Sequence, residues 1–240
     1  TTLKNCAKEP EVEDLANFLN SCGAKIEGAG SSIISIEGVD ILKKTHWEVL
    51  FDRIEAGTYL VAGAITKGKV KINKIIPEKL KCLIISLEKM GFKIFCSDNS
   101  IEIDARTATI KCQDFSTDPY PGFPTDMQAQ LMALNCIGEG SALITEQVFE
   151  NRFQHVKELR KMGANITLEK KHAVVKGVPN LVGSEVTASD LRASASLVLA
   201  GLIGKNRTKI NEIHHIDRGY ECIEEKLNKL GAEIIREPLA

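Results

Sequence analysis

Four segments of the chain close in the same way, on an amphipathic run followed by Gly and a short apolar stretch: "LANFLNSCGAKI", "LIISLEKMGFKI", "HVKELRKMGANI" and "CIEEKLNKLGAEI". Their glycines, Gly23, Gly91, Gly163 and Gly231, are 68, 72 and 68 residues apart. A period of this length restricts the chain to repeated copies of one supersecondary unit. Leu15/Leu19/Cys22, Leu83/Leu87/Met90 and Ile223/Leu227/Leu230 fall at i, i+4, i+7, which predicts an apolar stripe along each helix. His155, Leu159 and Met162 hold that register in the third copy. Each glycine is then placed to end its helix in a left-handed backbone conformation. Short strands should follow around a turn, as in "AKIEGAGSSIISIEG" and "ANITLEKKHAVVKG".

Between these lies a second class of helix, richer in Ala and Leu: "DRIEAGTYLVAGAITKG", "DMQAQLMALNCIGEG" and "DLRASASLVLAGLIGKN". Each leads past a glycine (Gly68, Gly138 or Gly204) into a β-type stretch, "KVKINKI", "SALITEQ" or "RTKINEI". The unit therefore reads helix, strand, helix, strand, strand over about 70 residues, which predicts layered α/β domains with sheets covering helices. Units two, three and four begin near Asp52, Asp126 and Asp190. The first copy has only its second half, to about residue 38: it is either an atypical terminal repeat or, as expected here, the end of a unit whose upstream half lies in the parent protein; "GVDILKKTHWEVLFDR" is the expected domain boundary.

The three aspartates admit two readings. Thr125 with Gln128 fits a capping box that puts Asp126 in the first helical turn, Ser189 before Asp190 allows a similar start, and Asp52 with Glu55 makes a cap pair. A carboxylate fixed at a helix start is also well held for proton transfer, and Pro121 and Pro124 stiffen the approach to Asp126. Arg53, Arg152, Arg192 and Arg218 stand beside acidic residues in "FDRIEAG", "FENRF", "SDLRAS" and "HHIDRGYE". They are either surface ion pairs or guanidiniums held by a neighbouring carboxylate to grip an anionic substrate. His214 and His215, read as a strand, face opposite sides and make a poor metal pair. Lys8 and Glu9 precede a helix started by Pro10.

Composition removes several classes. With 31 basic and 32 acidic residues, net charge -1, no general attraction to nucleic acid or anionic lipid is expected. Seven cysteines without a CxxC predict reduced thiols in a cytoplasmic protein, and no apolar stretch is long enough to span a membrane. The start at Thr1 lacks the features of a secretion signal and predicts trimming or excision. No P-loop, dinucleotide, zinc-protease or nucleophile-elbow motif is present.

The runs "AKEPEVEDLANFL", "DRIEAGTYLVAGAI", "FPTDMQAQ", "TEQVFENRF", "SDLRASASLVLAGLI" and "HHIDRGYE" together resemble the UDP-N-acetylglucosamine 1-carboxyvinyltransferase family of enolpyruvyl transferases, from residue 1 nearly to the end. The resemblance implies an α/β enolpyruvyl transferase fold, with repeated βαβαββ units in pseudo-threefold domains around buried helices. It implies that residues 1–50 are the tail of the UDP-sugar and reactive-loop domain and 51–240 most of the second domain. The implied reaction moves the enolpyruvyl group of phosphoenolpyruvate to the 3'-hydroxyl of UDP-N-acetylglucosamine, with no cofactor and no metal. Asp126 matches the proton acceptor at that hydroxyl, Val148 a position beside the sugar nucleotide, and Arg218 a phosphoenolpyruvate ligand. Asp190 and Arg192 match a charged pair beside the reacting centre. Glu9, Asp52, Arg53, Glu55, Glu150 and Arg152 match further cleft or loop-anchoring positions. His214 stands where many relatives have Tyr, and Gly63 where Ala is common.

The family's reactive-cysteine loop and early lysine lie upstream of the matched region, so the 240-residue chain alone is expected to be inactive, its partner being the missing N-terminal region. Two other readings are a non-catalytic sugar-nucleotide-binding paralogue and 5-enolpyruvylshikimate-3-phosphate synthase, the latter disfavoured by "FPTDMQAQ" together with "HHIDRGYE".

Overall fold

The computed structural model describes residues 1–237. Its first unit runs β1 (Thr2–Lys4), α1 (Pro10–Ser21), β2 (Lys25–Glu27) and β3 (Ile33–Glu37), and no helix or strand occupies residues 38–52. The second unit is α2 (Arg53–Ile65), β4 (Lys69–Asn73), α3 (Lys81–Lys89), β5 (Lys93–Ser97) and β6 (Ser100–Asp104). The third is β7 (Phe115–Ser116), α4 (Gln128–Asn135), β8 (Ser141–Thr145), α5 (Val156–Lys161), β9 (Asn165–Glu169) and β10 (His172–Lys176). The fourth is β11 (Glu185–Thr187), α6 (Leu191–Gly201), β12 (Lys209–Asn211) and α7 (Ile223–Lys229).

The repeat is plainest in the sheets. Strand orders β1-β3-β2, β4-β6-β5 and β8-β10-β9 are the same topology three times, each antiparallel with the last strand of its unit in the middle. Two units carry an extra strand ahead of the Ala-rich helix, β7 parallel to β8 and β11 parallel to β12; it completes βαβαββ in the third unit, while the fourth runs βαβα through residue 237. These strands are only two and three residues long, too short to show a period in sequence. Gly23, Gly91, Gly163 and Gly231 have φ of +100°, +100°, +88° and +101°. All four helices thus end as their spacing predicts.

The two helix classes are buried differently, for a reason visible in their residues. In α2, α4 and α6 small Ala and Gly side chains let helices approach closely, and each of the three packs on the other two. Together they form the centre of the fold. Leu131 and Leu134 of α4 face one apolar core with Leu60, Leu87 and Ile103, while Met132 and Cys136 face a second with Ile144, Leu159 and Val175. The amphipathic helices α3, α5 and α7 lie outside these and bury one stripe, as Leu83, Leu87 and Met90 do.

The stripe fails in two places. Leu15 is 56% exposed on α1 and Leu230 is 58% exposed beyond α7, because nothing in residues 1–237 covers those faces. His214 and His215 form no strand; they lie in the 3-10 turn Ile213–Arg218 with ring centroids 4.1 Å apart. All seven cysteines are free thiols. No helix is long and apolar enough to cross a membrane, among the described residues.

Candidate active site

The chain enters α4 through "YPGFPTDM", where Pro124 precedes a 3-10 turn over Thr125–Met127. Neither the turn nor α4 has a side-chain cap, so the capping box expected from Thr125 and Gln128 does not form. Thr125 Oγ1 instead donates to both carboxylate oxygens of Glu146 at 3.1 Å, and Asp126 turns away from the helix backbone. Asp52 and Asp190 do cap: Asp52 Oδ1 accepts the N–H groups of Ile54 and Glu55, and Asp190 Oδ1 those of Arg192 and Ala193. Three equivalent positions therefore hold two caps and one carboxylate left free for other partners.

Two guanidiniums grip that carboxylate. Arg152 Nη2 donates to Asp126 Oδ1 at 2.9 Å and Arg192 Nη2 to Oδ2 at 3.1 Å. Both arginines are largely buried, while the Asp126 side chain stays 37% exposed and faces solvent between them. Burial pushes the Asp126 carboxyl up, but the bond from Arg192 and the charges of Arg192, Arg152 and Arg53 outweigh it and hold the group below the usual carboxylate range. Arg192 shows the reverse: burial lowers its pKa, and the carboxylate more than restores it.

The pairing is long-range throughout. Arg53, Arg152, Arg192 and Arg218 were expected to pair with the acids beside them, and none does. Arg53 Nε bonds Glu11 at 2.8 Å, Arg152 and Arg192 reach Asp126, and Asp217 bonds Arg236 rather than Arg218. Asp190 and Arg192 likewise form no charged pair, since the Asp190 side chain is spent on capping α6 and meets Arg192 only at its backbone N–H. The cause is local geometry: a cap carboxylate points back at the helix axis, while the next residues project their side chains outward from the turn.

A buried polar hub backs the pair. Tyr220, 1% exposed, donates to Thr58 Oγ1 at 2.9 Å, Thr58 passes its own proton to the Ile54 carbonyl, and Gln130 Nε2 reaches Thr58 and the Asp126 carbonyl. Arg192 Nη1 stands 3.5 Å from the Tyr220 hydroxyl. One residue from each of α2, α4 and α6 thus meets behind Asp126.

The other expected positions spread outward. Glu55 bonds Lys226 at 2.9 Å. Glu9 accepts the Tyr120 N–H at 3.5 Å, and Arg53 lies over the Tyr120 ring at 5.6 Å, so both brace the loop that carries Asp126. Val148 is 43% exposed with its N–H on Glu146, and Glu150 and Arg218 are exposed with no ion pair among the described residues. The sequence reading missed Glu146 and Tyr220. A signal for Glu146 exists, since it continues the inward register of Ala142 and Ile144, where a carboxylate is out of place.

Repeated βαβ-type units around three buried helices, with a twice-paired carboxylate at the mouth of one of them, define an α/β protein of the enolpyruvyl transferase fold. The chain belongs to the EPSP synthase (3-phosphoshikimate 1-carboxyvinyltransferase) family, whose model matches residues 1–227. It is 52% identical over 98% of its length to UDP-N-acetylglucosamine 1-carboxyvinyltransferase of Hydrogenovibrio crunogenus, and covers 56% of that protein. The chain thus spans just over half the length of that curated relative. Among solved structures it is similar to the enolpyruvyl transferase NikO from Streptomyces tendae, with 30% identity, a TM-score of 0.86, and coverage of 97% of this chain and 56% of that one. EPSP synthase from Acinetobacter baumannii shares the fold at 20% identity and a TM-score of 0.70, covering 91% and 54%.

Proposed function

We propose that these residues form one wall of a site that transfers the enolpyruvyl group of phosphoenolpyruvate to the 3'-hydroxyl of UDP-N-acetylglucosamine, in a cytoplasmic polypeptide that supplies the opposite wall. The observation that carries this reading is the Asp126 carboxylate, exposed on one side and held by Arg152 and Arg192 on the other. The 52% identity to a protein of that name supports the choice of acceptor over shikimate 3-phosphate. In the same reading residues 1–50 finish one domain and 51–240 make most of the other; all members of the two large core clusters lie beyond residue 50.

Asp126 takes the hydroxyl proton. An aspartate saturated by two guanidiniums is a weak base, so the donor's own charge has a part to play. When the phosphate and carboxylate of phosphoenolpyruvate draw Arg192 toward themselves, Asp126 loses its strongest stabilising partner and becomes more basic as the substrate arrives. Exposed Arg218 is free to join Arg192 on the donor. Val148 borders the acceptor sugar nucleotide. Asp190 and Asp52 fix the starts of α6 and α2, Glu9 and Arg53 brace the approach, Glu55 ties the start of α2 to Lys226 of α7, and Arg152 with Glu150 lines the rim.

The test is phosphate release from both substrates, by the chain alone and after mixing with the unmatched portion of the Hydrogenovibrio crunogenus relative. No turnover by the chain alone and turnover in the mixture are expected, with Asp126→Asn abolishing it. Turnover with shikimate 3-phosphate but not with the nucleotide sugar would overturn the choice of acceptor.

A further inference from the structure

Glu146 is buried just past β8, at 4% exposure, and its carboxylate has no ion-pair partner among the described residues. Four donors converge on it instead: Thr117 Oγ1 at 2.7 Å, Thr125 Oγ1 at 3.1 Å to each oxygen, and the N–H groups of Val148 at 3.0 Å and Phe149 at 2.9 Å. A carboxyl group is costly inside a protein without such partners, and this one has more than folding the strand end requires.

Two routes lead from it to the same guanidinium. Thr125 has a single hydroxyl proton, and by giving it to Glu146 it turns a lone pair toward Arg152 Nε, which donates at 3.1 Å. Phe149, tethered through its backbone N–H, sets its ring under Arg152, with the guanidinium carbon 4.5 Å from the centroid. Arg152 then has only its Nη2 edge directed at Asp126. We propose that Glu146 is a positioning residue, which fixes the hydroxyl direction of Thr125 and the place of Phe149 and so aims Arg152 at Asp126. Its bearing on enolpyruvyl transfer rests on the role given to Asp126 above; the placement of Arg152 does not.

The experiment therefore reads Arg152 itself, by solvent exchange of the arginine Nε–H signals in nitrogen-15 spectra of the whole 240-residue chain near neutral pH. In Glu146→Gln the amide NH2 competes for the Thr125 lone pair, and Thr125→Val removes that lone pair outright. Both variants should speed exchange at Arg152 several-fold and leave Arg160 unchanged, whose Nε bonds the Ile166 carbonyl at 2.9 Å away from this network. In a Thr125→Val background, Glu146→Gln should add only the smaller loss that comes through Phe149. Unchanged Arg152 exchange in folded Glu146→Gln, or equal acceleration at Arg152 and Arg160, would overturn the proposal. If Glu146→Gln does not fold, Thr125→Val decides: slow exchange at Arg152 in that variant sinks it.

Discussion

His155 should make this protein lose stability in mild acid. Its ring is 1% exposed, with Nε2 3.2 Å from Met132 Sδ and Nδ1 without a hydrogen-bond partner. Burial pushes its pKa down to about 4, against a smaller upward pull from the Asp190 charge. In the unfolded chain the ring titrates near its ordinary value of about 6.5. Between these two values the unfolded chain holds a proton that the folded one refuses, so unfolding gains free energy as pH falls through the ordinary histidine range. The loss levels off once pH is below the folded value. Integrated, the penalty is about 2 kcal/mol near pH 5 and about 3 kcal/mol when complete. His155→Leu keeps an apolar side chain of similar bulk at that position and removes the titration. Urea unfolding of both proteins at about pH 7 and about pH 5 isolates the effect, because every other titrating group is shared. Wild type should lose about 2 kcal/mol more than the variant between the two conditions. Equal losses in both proteins would refute the argument, and would mean that the buried ring finds a compensating partner when protonated.

Tyr220→Phe removes the hydroxyl of the hub but leaves Thr58 bonded to the Ile54 carbonyl and Gln130 bonded to the Asp126 carbonyl. One strong bond is lost and Arg192 Nη1 loses its long contact to the hydroxyl, so the expected cost is about 1–2 kcal/mol, read from the urea midpoint. Asp126 should titrate below ordinary aspartates, so its ion pairs persist through the usual carboxylate range and are lost only as pH falls through the depressed folded value. Carboxyl carbon-13 titration should show that midpoint rising in Arg192→Lys, and an unmoved midpoint would remove Arg192 as the main favourable partner. Gly177→Ala places a Cβ 1.6 Å from the Gly138 carbonyl oxygen, where both partners are backbone and neither can yield. A loss of more than about 4 kcal/mol, seen as insoluble expression or a collapsed unfolding midpoint, is expected.

Much of the architecture is written in local pattern. Gly23, Gly91, Gly163 and Gly231 announce the helix ends because a backbone with φ from +88° to +101° suits glycine and strains a residue that carries a Cβ. Ala-rich and one-sided helices are told apart by composition, since close approach of three helices demands small side chains. Even the odd place of His155 on an apolar stripe is legible, and the stripe is buried there. What the pattern omits is β7 and β11, whose pairing comes from the partner strand rather than from any period of their own.

The site divides along the same line. Sequence by itself determined the repeat, the helix starts at Asp52, Asp126 and Asp190, and the set of arginines available to them. Local pattern could not say which carboxylates cap and which is free, because each of the three stands where a helix start can use a charge, and the Thr125 cap it offered ahead of Asp126 does not form. Only the tertiary structure decided that Arg152, 26 residues on, and Arg192, 66 residues on, both close on Asp126. The physical reason is that capping is a contact within one turn of chain. The partners of a free carboxylate are instead chosen by how α4 and α6 pack against each other and where the turn at Arg152 lies beside them.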